Sequence, residues 1–226
     1  MRKIDDRKAF LREAEKTLDN IMTSFENIPV LKAEEFEKKN TALINVDIIN
    51  GFCKEGNLSS DRVLKIIPDA VRINALFKDL EKVFFLDCHP EKAEEFKAYV
   101  SHCIEGSQEV ELVDELKPFA AEKALLCKKN SVNGFLAPQY QQWLKEHKDI
   151  TNIIVIGDVT DICILNFCLA QRCYFNENNI SGRVIVPLSA VETFDLDITN
   201  HQGDLMNLFS IYNMRGNGIE IVEDII

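Results

Sequence analysis

The sequence predicts a three-layer, doubly wound α/β domain with a six-stranded parallel sheet, preceded by a helical extension. Three observations carry that expectation. Short apolar runs recur at Ala42–Val46, Val83–Leu86, Ala124–Leu126, Ile153–Ile156, Val184–Val186 and Ile219–Val222. Helix-like segments separate them, and apolar strands alternating with helices build a parallel sheet covered on both faces. The charge is also unevenly spread: residues 1–40 hold nine basic and nine acidic side chains, so the net charge of −11 sits entirely on residues 41–226. The 226 residues thus divide into an extension over 1–40 and one domain over 41–226, which is long enough to bury its own core.

Taken in order, residues 5–25 place Phe10, Ala14, Leu18, Ile21, Met22 and Phe25 at helical spacing among charges. This is an amphipathic helix laid on the body or on a partner chain. Pro29 and the charged run Glu34–Lys39 lead into the first strand. Between strands, helices are expected over Val63–Leu80, near Glu91–Ala98, and over Pro138–His147, Asp161–Cys173 and Ile198–Met214. No repeat or low-complexity tract interrupts them.

Composition narrows the partners. With 37 acidic against 26 basic residues, the chain is unsuited to nucleic acid or to an anionic membrane surface. No apolar run approaches the ~18 residues that cross a bilayer. The N-terminus is charged from Arg2 onward, and the seven cysteines are an odd set, which together point to a reducing cytoplasm. There, thiols pack, bind metal or react.

In a doubly wound sheet, ligands bind beyond the carboxyl ends of the strands, so the residues after each strand matter most. Asp47 follows the first run, where partial burial would raise its pKa and suit a general base; a turn or cap aspartate fits the same spacing. Asp87 and His89 end the second strand, with Glu95 and His102 following. An Asp/His/His set with a nearby Glu suits Zn²⁺, Fe²⁺ or Mn²⁺, and is equally compatible with ordinary polar surface. Cys88 and Cys103 adjoin two of these residues as softer donors. Lys128 and Lys129 lie at the third strand's mouth, and spacing does not choose between them. Cys163 opens a helix after the turn Gly157–Thr160, where the helix dipole would lower a thiol pKa and free N–H groups could hold an oxyanion. A buried core cysteine fits that position too.

Together these pieces resemble the isochorismatase-like cysteine hydrolases, and within them the metal-containing nicotinamidases. The match runs from about residue 41 to 225. Its motifs are Asp47-x-x-Asn50-x-Phe52 with Cys53 and Leu58, then Asp87-x-His89, then Glu95-Phe96 and Tyr99-x-x-His102-Cys103-Ile104-x-Gly106. Lys129 with Asn133–Phe135 follows, then Gly157-x-x-Thr160-Asp161-x-Cys163, and finally Phe194-Asp195 and His201 through Phe209. Each piece is modest; their order and spacing are specific.

The resemblance implies a catalytic triad of Asp47, Lys129 and Cys163, with Lys129 chosen because it lies six residues before Phe135. It also implies a cis peptide at Asp158–Val159 and an oxyanion hole from the backbone N–H groups of Val159 and Cys163. Asp87, His89 and His102 would hold one divalent ion, with zinc expected ahead of iron or manganese and Glu95 nearby or bound through water. Phe52 and Tyr99 would flank a substrate ring. The implied reaction converts nicotinamide to nicotinate and ammonia through a cysteine thioester in NAD salvage, in a homodimer or homotetramer. Val132 and Gly134 depart from the aromatic residue and alanine common in the family, so one pocket wall differs. Two rivals remain: a hydrolase of another small amide or vinyl ether on the same fold, and a non-catalytic member whose extension serves a partner.

Overall fold

The structure, a computed structural model, describes residues 4–120 and 124–226. Nine strands form: β1 Val30–Leu31, β2 Thr41–Val46, β3 Glu81–Asp87, β4 Leu125–Lys129, β5 Asn152–Asp158, β6 Arg183–Pro187, β7 Val191–Glu192, β8 Glu220–Val222 and β9 Asp224–Ile225. The main sheet has seven strands in the order β4-β3-β2-β5-β6-β8, with β7 pairing β5 beyond the end of β6. Every pairing in it is parallel. The six apolar runs supply the six strands on the path. The seventh is two residues long, too short to leave a period in the sequence.

Helices α1 Arg7–Thr23, α2 Asn50–Cys53, α3 Asp61–Leu64, α4 Ile67–Leu76, α5 Pro138–Glu146, α6 Leu165–Glu177 and α7 Gly203–Gly216 complete the fold. On one face of the sheet Leu43, Phe84, Ile154 and Ile156 pack with Val63, Ile67, Ala70 and Ile73 of α3 and α4. On the other, Ile44, Val83, Phe85 and Val155 pack with Tyr140, Trp143, Phe167 and Met214 of α5, α6 and α7. Successive strand side chains therefore enter opposite cores, which is why β2 is buried at all six positions and shows no polar alternation.

Several expected elements change shape; the helix expected near Glu91–Ala98 is only a 3₁₀ turn over Glu94–Lys97, and that expected over Asp161–Cys173 becomes a π-turn followed by α6. The helix expected over Val63–Leu80 is two helices, because Pro68 lacks an N–H and its ring would clash with the carbonyl of Leu64. The third strand runs on to Lys129 rather than stopping at Leu126; Cys127 and Lys129 are buried while Leu126 and Lys128 are exposed, a period of two. The late helix starts at Gly203, where the Gln202 side chain accepts from the Leu205 N–H at 2.7 Å, and not at Ile198.

The N-terminal stretch is held at several points. Asp6 caps α1 by accepting from the Ala9 N–H at 2.9 Å. Ile21 is buried, whereas Phe10 and Met22 of the apolar stripe are exposed. Arg215 of α7 donates to the Ser24 carbonyl at 2.8 Å and lies 5.0 Å from the Phe25 ring centroid. Further on, β1 pairs in parallel with β9, and Phe36 packs edge-on to Phe77 in the core. No helix among the described residues is long and apolar enough to cross a membrane.

Candidate active site

The carboxyl ends of β2, β3, β4 and β5 meet at one point. Gly157 makes that convergence sterically feasible. Its φ is +123°, and a Cβ there would stand 2.0 Å from the Val46 carbonyl oxygen, so only glycine lets β5 approach β2 so closely. The next peptide, Asp158–Val159, is cis.

Asp47 leaves β2 in the left-handed region at φ 54°, a conformation aspartate tolerates better than most residues. Lys129, the last residue of β4, reaches across with its Nζ 2.9 Å from Asp47 Oδ2, 2.7 Å from Asp87 Oδ1 and 3.7 Å from Cys163 Sγ. Lys128 points outward to Glu105 at 3.1 Å. The alternation along β4 thus decides between the two lysines. The Lys129 ammonium lies off the hydrogen-bonding direction of Asp47, whose two oxygens are buried without a formed hydrogen bond. Those oxygens stand beside the Cys163 thiol, able to take its proton.

Burial dominates the electrostatics. It raises the Asp47 carboxyl, helped by Asp87 and opposed by Lys129, to about 6. Burial pulls Lys129 down, but Asp47, Asp87 and Cys163 hold its ammonium well above the usual lysine range. The Cys163 thiol is pushed well up by burial, against the pull of Lys129. This reverses the direction expected from the helix dipole. Cys163 sits in a π-turn over Thr160–Ile164, closed onto the Val159 carbonyl, and its enclosure outweighs the dipole. The thiol is therefore protonated at rest and needs a base beside it.

His102 lies far along the chain from Asp87, yet the backbone brings them together. The His89 N–H donates to the Cys103 carbonyl at 2.9 Å and the Glu105 N–H to the His89 carbonyl at 2.8 Å, stitching the loop alongside the end of β3. Ligand atoms of Asp87, His89, Glu95 and His102 then lie within 4.8 Å of one another. His89 Nδ1 meets Asn130 Oδ1 at 2.8 Å and His102 Nδ1 meets the Val100 carbonyl at 2.8 Å. Both rings consequently aim Nε2 at Asp87 Oδ2, at 2.9 and 3.0 Å. With Lys129 occupying Oδ1, Oδ2 and two imidazole nitrogens converge as a buried N/O donor set, which fits a divalent ion of the zinc, iron or manganese type. Glu95 fits less tightly: its Oε1 is 3.9 Å from His89 Nε2, and its Oε2 accepts from the Val132 N–H at 3.2 Å. Cys88 and Cys103 stand outside this donor set.

Above these groups lies a narrow, tightly lined pocket. Phe52, Tyr99 and His102 line one part, with ring centroids 5.8 and 6.4 Å from His102 to Phe52 and Tyr99. Val132, Ile162 and Phe194 line another, and Cys163 and Val159 reach its floor. Sequence reasoning singled out Phe52 and Tyr99 but missed Phe194, Ile162 and Asn130 as site residues. Phe194 stood in a recognised motif, yet nothing in its neighbours shows that its loop folds back over the cavity.

The model of the isochorismatase domain matches residues 41–206. Nicotinamidase 1 of Arabidopsis thaliana is 31% identical over 210 residues, covering 81% of this chain and 85% of that protein. Among solved structures, the pyrazinamidase/nicotinamidase of Streptococcus mutans superposes with a TM-score of 0.69 at 20% identity, over 81% of this chain and 100% of that one. The Pyrococcus horikoshii pyrazinamidase, solved in complex with zinc, gives 0.66 at 22% identity over 81% and 99%. At these identities the structural likeness is one of fold.

Proposed function

The chain belongs to the isochorismatase family, and from that premise we propose that it is a nicotinamidase, hydrolysing nicotinamide to nicotinate and ammonia. One observation carries the reading: Cys163 of the buried Asp47–Lys129–Cys163 cluster and Asp87, Glu95 and His102 of the metal donor set line the same pocket.

Asp47 takes the Cys163 proton, and the sulfur attacks the carboxamide carbon. The backbone N–H groups of Val159 and Cys163 hold the oxyanion that forms. Asp47 returns the proton as the C–N bond breaks and ammonia leaves. Water, deprotonated by Asp47, then adds to the thioester, and collapse releases nicotinate and restores the thiol. Lys129 keeps Asp47 ionised and oriented through both halves. Asp87, His89 and His102, with Glu95 directly or through water, hold the divalent ion, and zinc is the proposed occupant. When bound, that ion offers the pyridine nitrogen a Lewis-acid contact and so fixes the ring's orientation. Phe52 and Tyr99 enclose the ring. A neutral substrate suits this acidic body, and a salvage role in the cytoplasm follows from the reaction.

The test is ammonia release from nicotinamide, pyrazinamide and carbamoyl compounds by metal-loaded protein, with Cys163→Ala as control. Turnover of nicotinamide that vanishes in the control is the expected result. Turnover of carbamoyl compounds alone would move the assignment to another amide, and unchanged activity in Cys163→Ala would overturn the mechanism.

A further inference from the structure

One wall of the cavity is supported by residues that the reaction itself does not use. Phe194 lies on a loop between β7 and α7, and that loop is pinned twice. At its root, Arg62 of α3 meets Glu192 at 3.0 Å, Asp204 at 2.8 Å and Asp195 at 3.6 Å, and donates to the Thr193 carbonyl at 3.2 Å. Nearer the cavity, Asp161 is bound from two sides. Its Oδ1 accepts from the Thr193 hydroxyl at 2.6 Å, and its Oδ2 meets His201 Nε2 at 2.8 Å. His201 Nδ1 in turn meets the Phe194 carbonyl at 3.0 Å, and the two rings lie 4.7 Å apart.

The loop's far end is tied to α7, where the Gly203 N–H donates to Asp195 Oδ1 at 2.6 Å. Leu196 and His201 pair across it through their backbones, and its tip, Ile198, is 89% exposed. Asp161 belongs to the same turn as Ile162 and Cys163, both of which line the cavity. The hydrogen-bonded chain Asp161–His201–Phe194 therefore joins the turn that carries the thiol to the loop that carries Phe194.

We propose that Asp161 and His201 are positioning residues that hold Phe194 against the substrate ring, so that the pocket's grip on a flat aromatic amide depends on this pair. The inference rests on the amidase reading for its substrate, but the wall itself exists whatever the substrate is. His201 touches no reacting atom. Its loss should weaken binding of the ring while leaving bond breaking largely intact.

The experiment compares His201→Ala, Phe194→Ala, their double variant and Asp161→Asn in the metal-loaded enzyme with nicotinamide. Phe194→Ala and His201→Ala should each raise KM by roughly tenfold, the scale of one aromatic contact, with kcat within about twofold of the parent. The double variant should be no worse than Phe194→Ala, because both changes remove the same contact. Asp161→Asn weakens the link to His201 by removing its charge, and should raise KM by a smaller factor than His201→Ala with kcat again within about twofold; a fall in kcat at constant KM would overturn the positioning role. Additive effects in the double variant, or a fall in kcat at constant KM, would overturn the proposal. If His201→Ala fails to fold, His201→Gln carries the same expectation, as it cannot span Asp161 and the Phe194 carbonyl together.

A second readout separates this proposal from the amidase assignment. Iodoacetamide labelling of Cys163, followed peptide by peptide, should accelerate several-fold in both His201→Ala and Phe194→Ala. If the parent protein turns over no amide but labelling accelerates in both, the assignment fails and the positioning role stands. Labelling at the parental rate in both would overturn the positioning role.

Discussion

Replacing Lys129 with methionine removes the one cation placed between Asp47, Asp87 and Cys163 while keeping the length of the side chain. At 2.9 Å from Asp47 Oδ2, with an effective dielectric constant of about 20, a unit charge pair is worth ~6 kcal/mol before desolvation is counted. Much of that is offset by the burial of both groups, and breaking a buried pair typically costs 3–5 kcal/mol. The same interaction holds Asp47 down to about 6 against its burial. At 1.36 kcal/mol per pKa unit, its loss lifts the carboxyl by roughly 2–4 units and leaves it protonated at neutral pH. A protonated Asp47 cannot take the thiol proton, so kcat/KM at pH 7 should fall by about 10- to 10³-fold. The assay is a kcat/KM profile from pH 5 to 9 for ammonia release. In the parent, the rate falls as pH drops through about 6, because the ionised carboxylate is the active form. In Lys129→Met that acid limb moves to higher pH. Activity within about twofold of the parent, with the limb still near pH 6, would refute the role given to Lys129.

Other outcomes follow from single contacts. Asn130→Ala removes the acceptor at His89 Nδ1 and frees the ring to turn, so metal affinity should drop 10- to 100-fold in a competition titration against a chromophoric chelator; equal affinity would count against a supporting role. Gly157→Ala forces a Cβ onto the Val46 carbonyl at a positive φ, and should lower stability by more than about 4 kcal/mol in urea unfolding, or prevent folding. Dialysis against a chelator should raise KM for nicotinamide far more than for an amide whose ring lacks the nitrogen. Equal effects on both would argue against a metal contact to the ring.

The sheet was legible because its central strands are buried on both faces and therefore read as continuous apolar runs. The positions of Asp47 and Asp87, one residue beyond such runs, were legible for the same reason. Lys129 was not separable from Lys128 by composition, and the family resemblance favoured it by spacing alone; the extension of β4 by three residues, with its strict alternation, supplies the physical reason. The protonation of Cys163 was misjudged because a helix start is local and visible, whereas enclosure by four strand ends is not. Asn130, Phe194 and the Asp161–His201 pair escaped for a related reason. A polar side chain's partner is chosen by loops that meet only in the finished fold, and no periodicity records that meeting.

The pairing of β1 with β9 fixes an order of events in the life of the chain. Val30 and Leu31 leave the ribosome early, but their partners Asp224 and Ile225 are separated from them by nearly the whole sequence. The closing bonds, Ala33 N–H to the Ile226 carbonyl at 2.8 Å and Ile226 N–H to the Leu31 carbonyl at 3.0 Å, share that delay. So non-local a contact repays its loop-closure entropy only after the intervening sheet exists. Seating β1 therefore waits on β9, and their pairing closes the N-terminal segment onto the last strand.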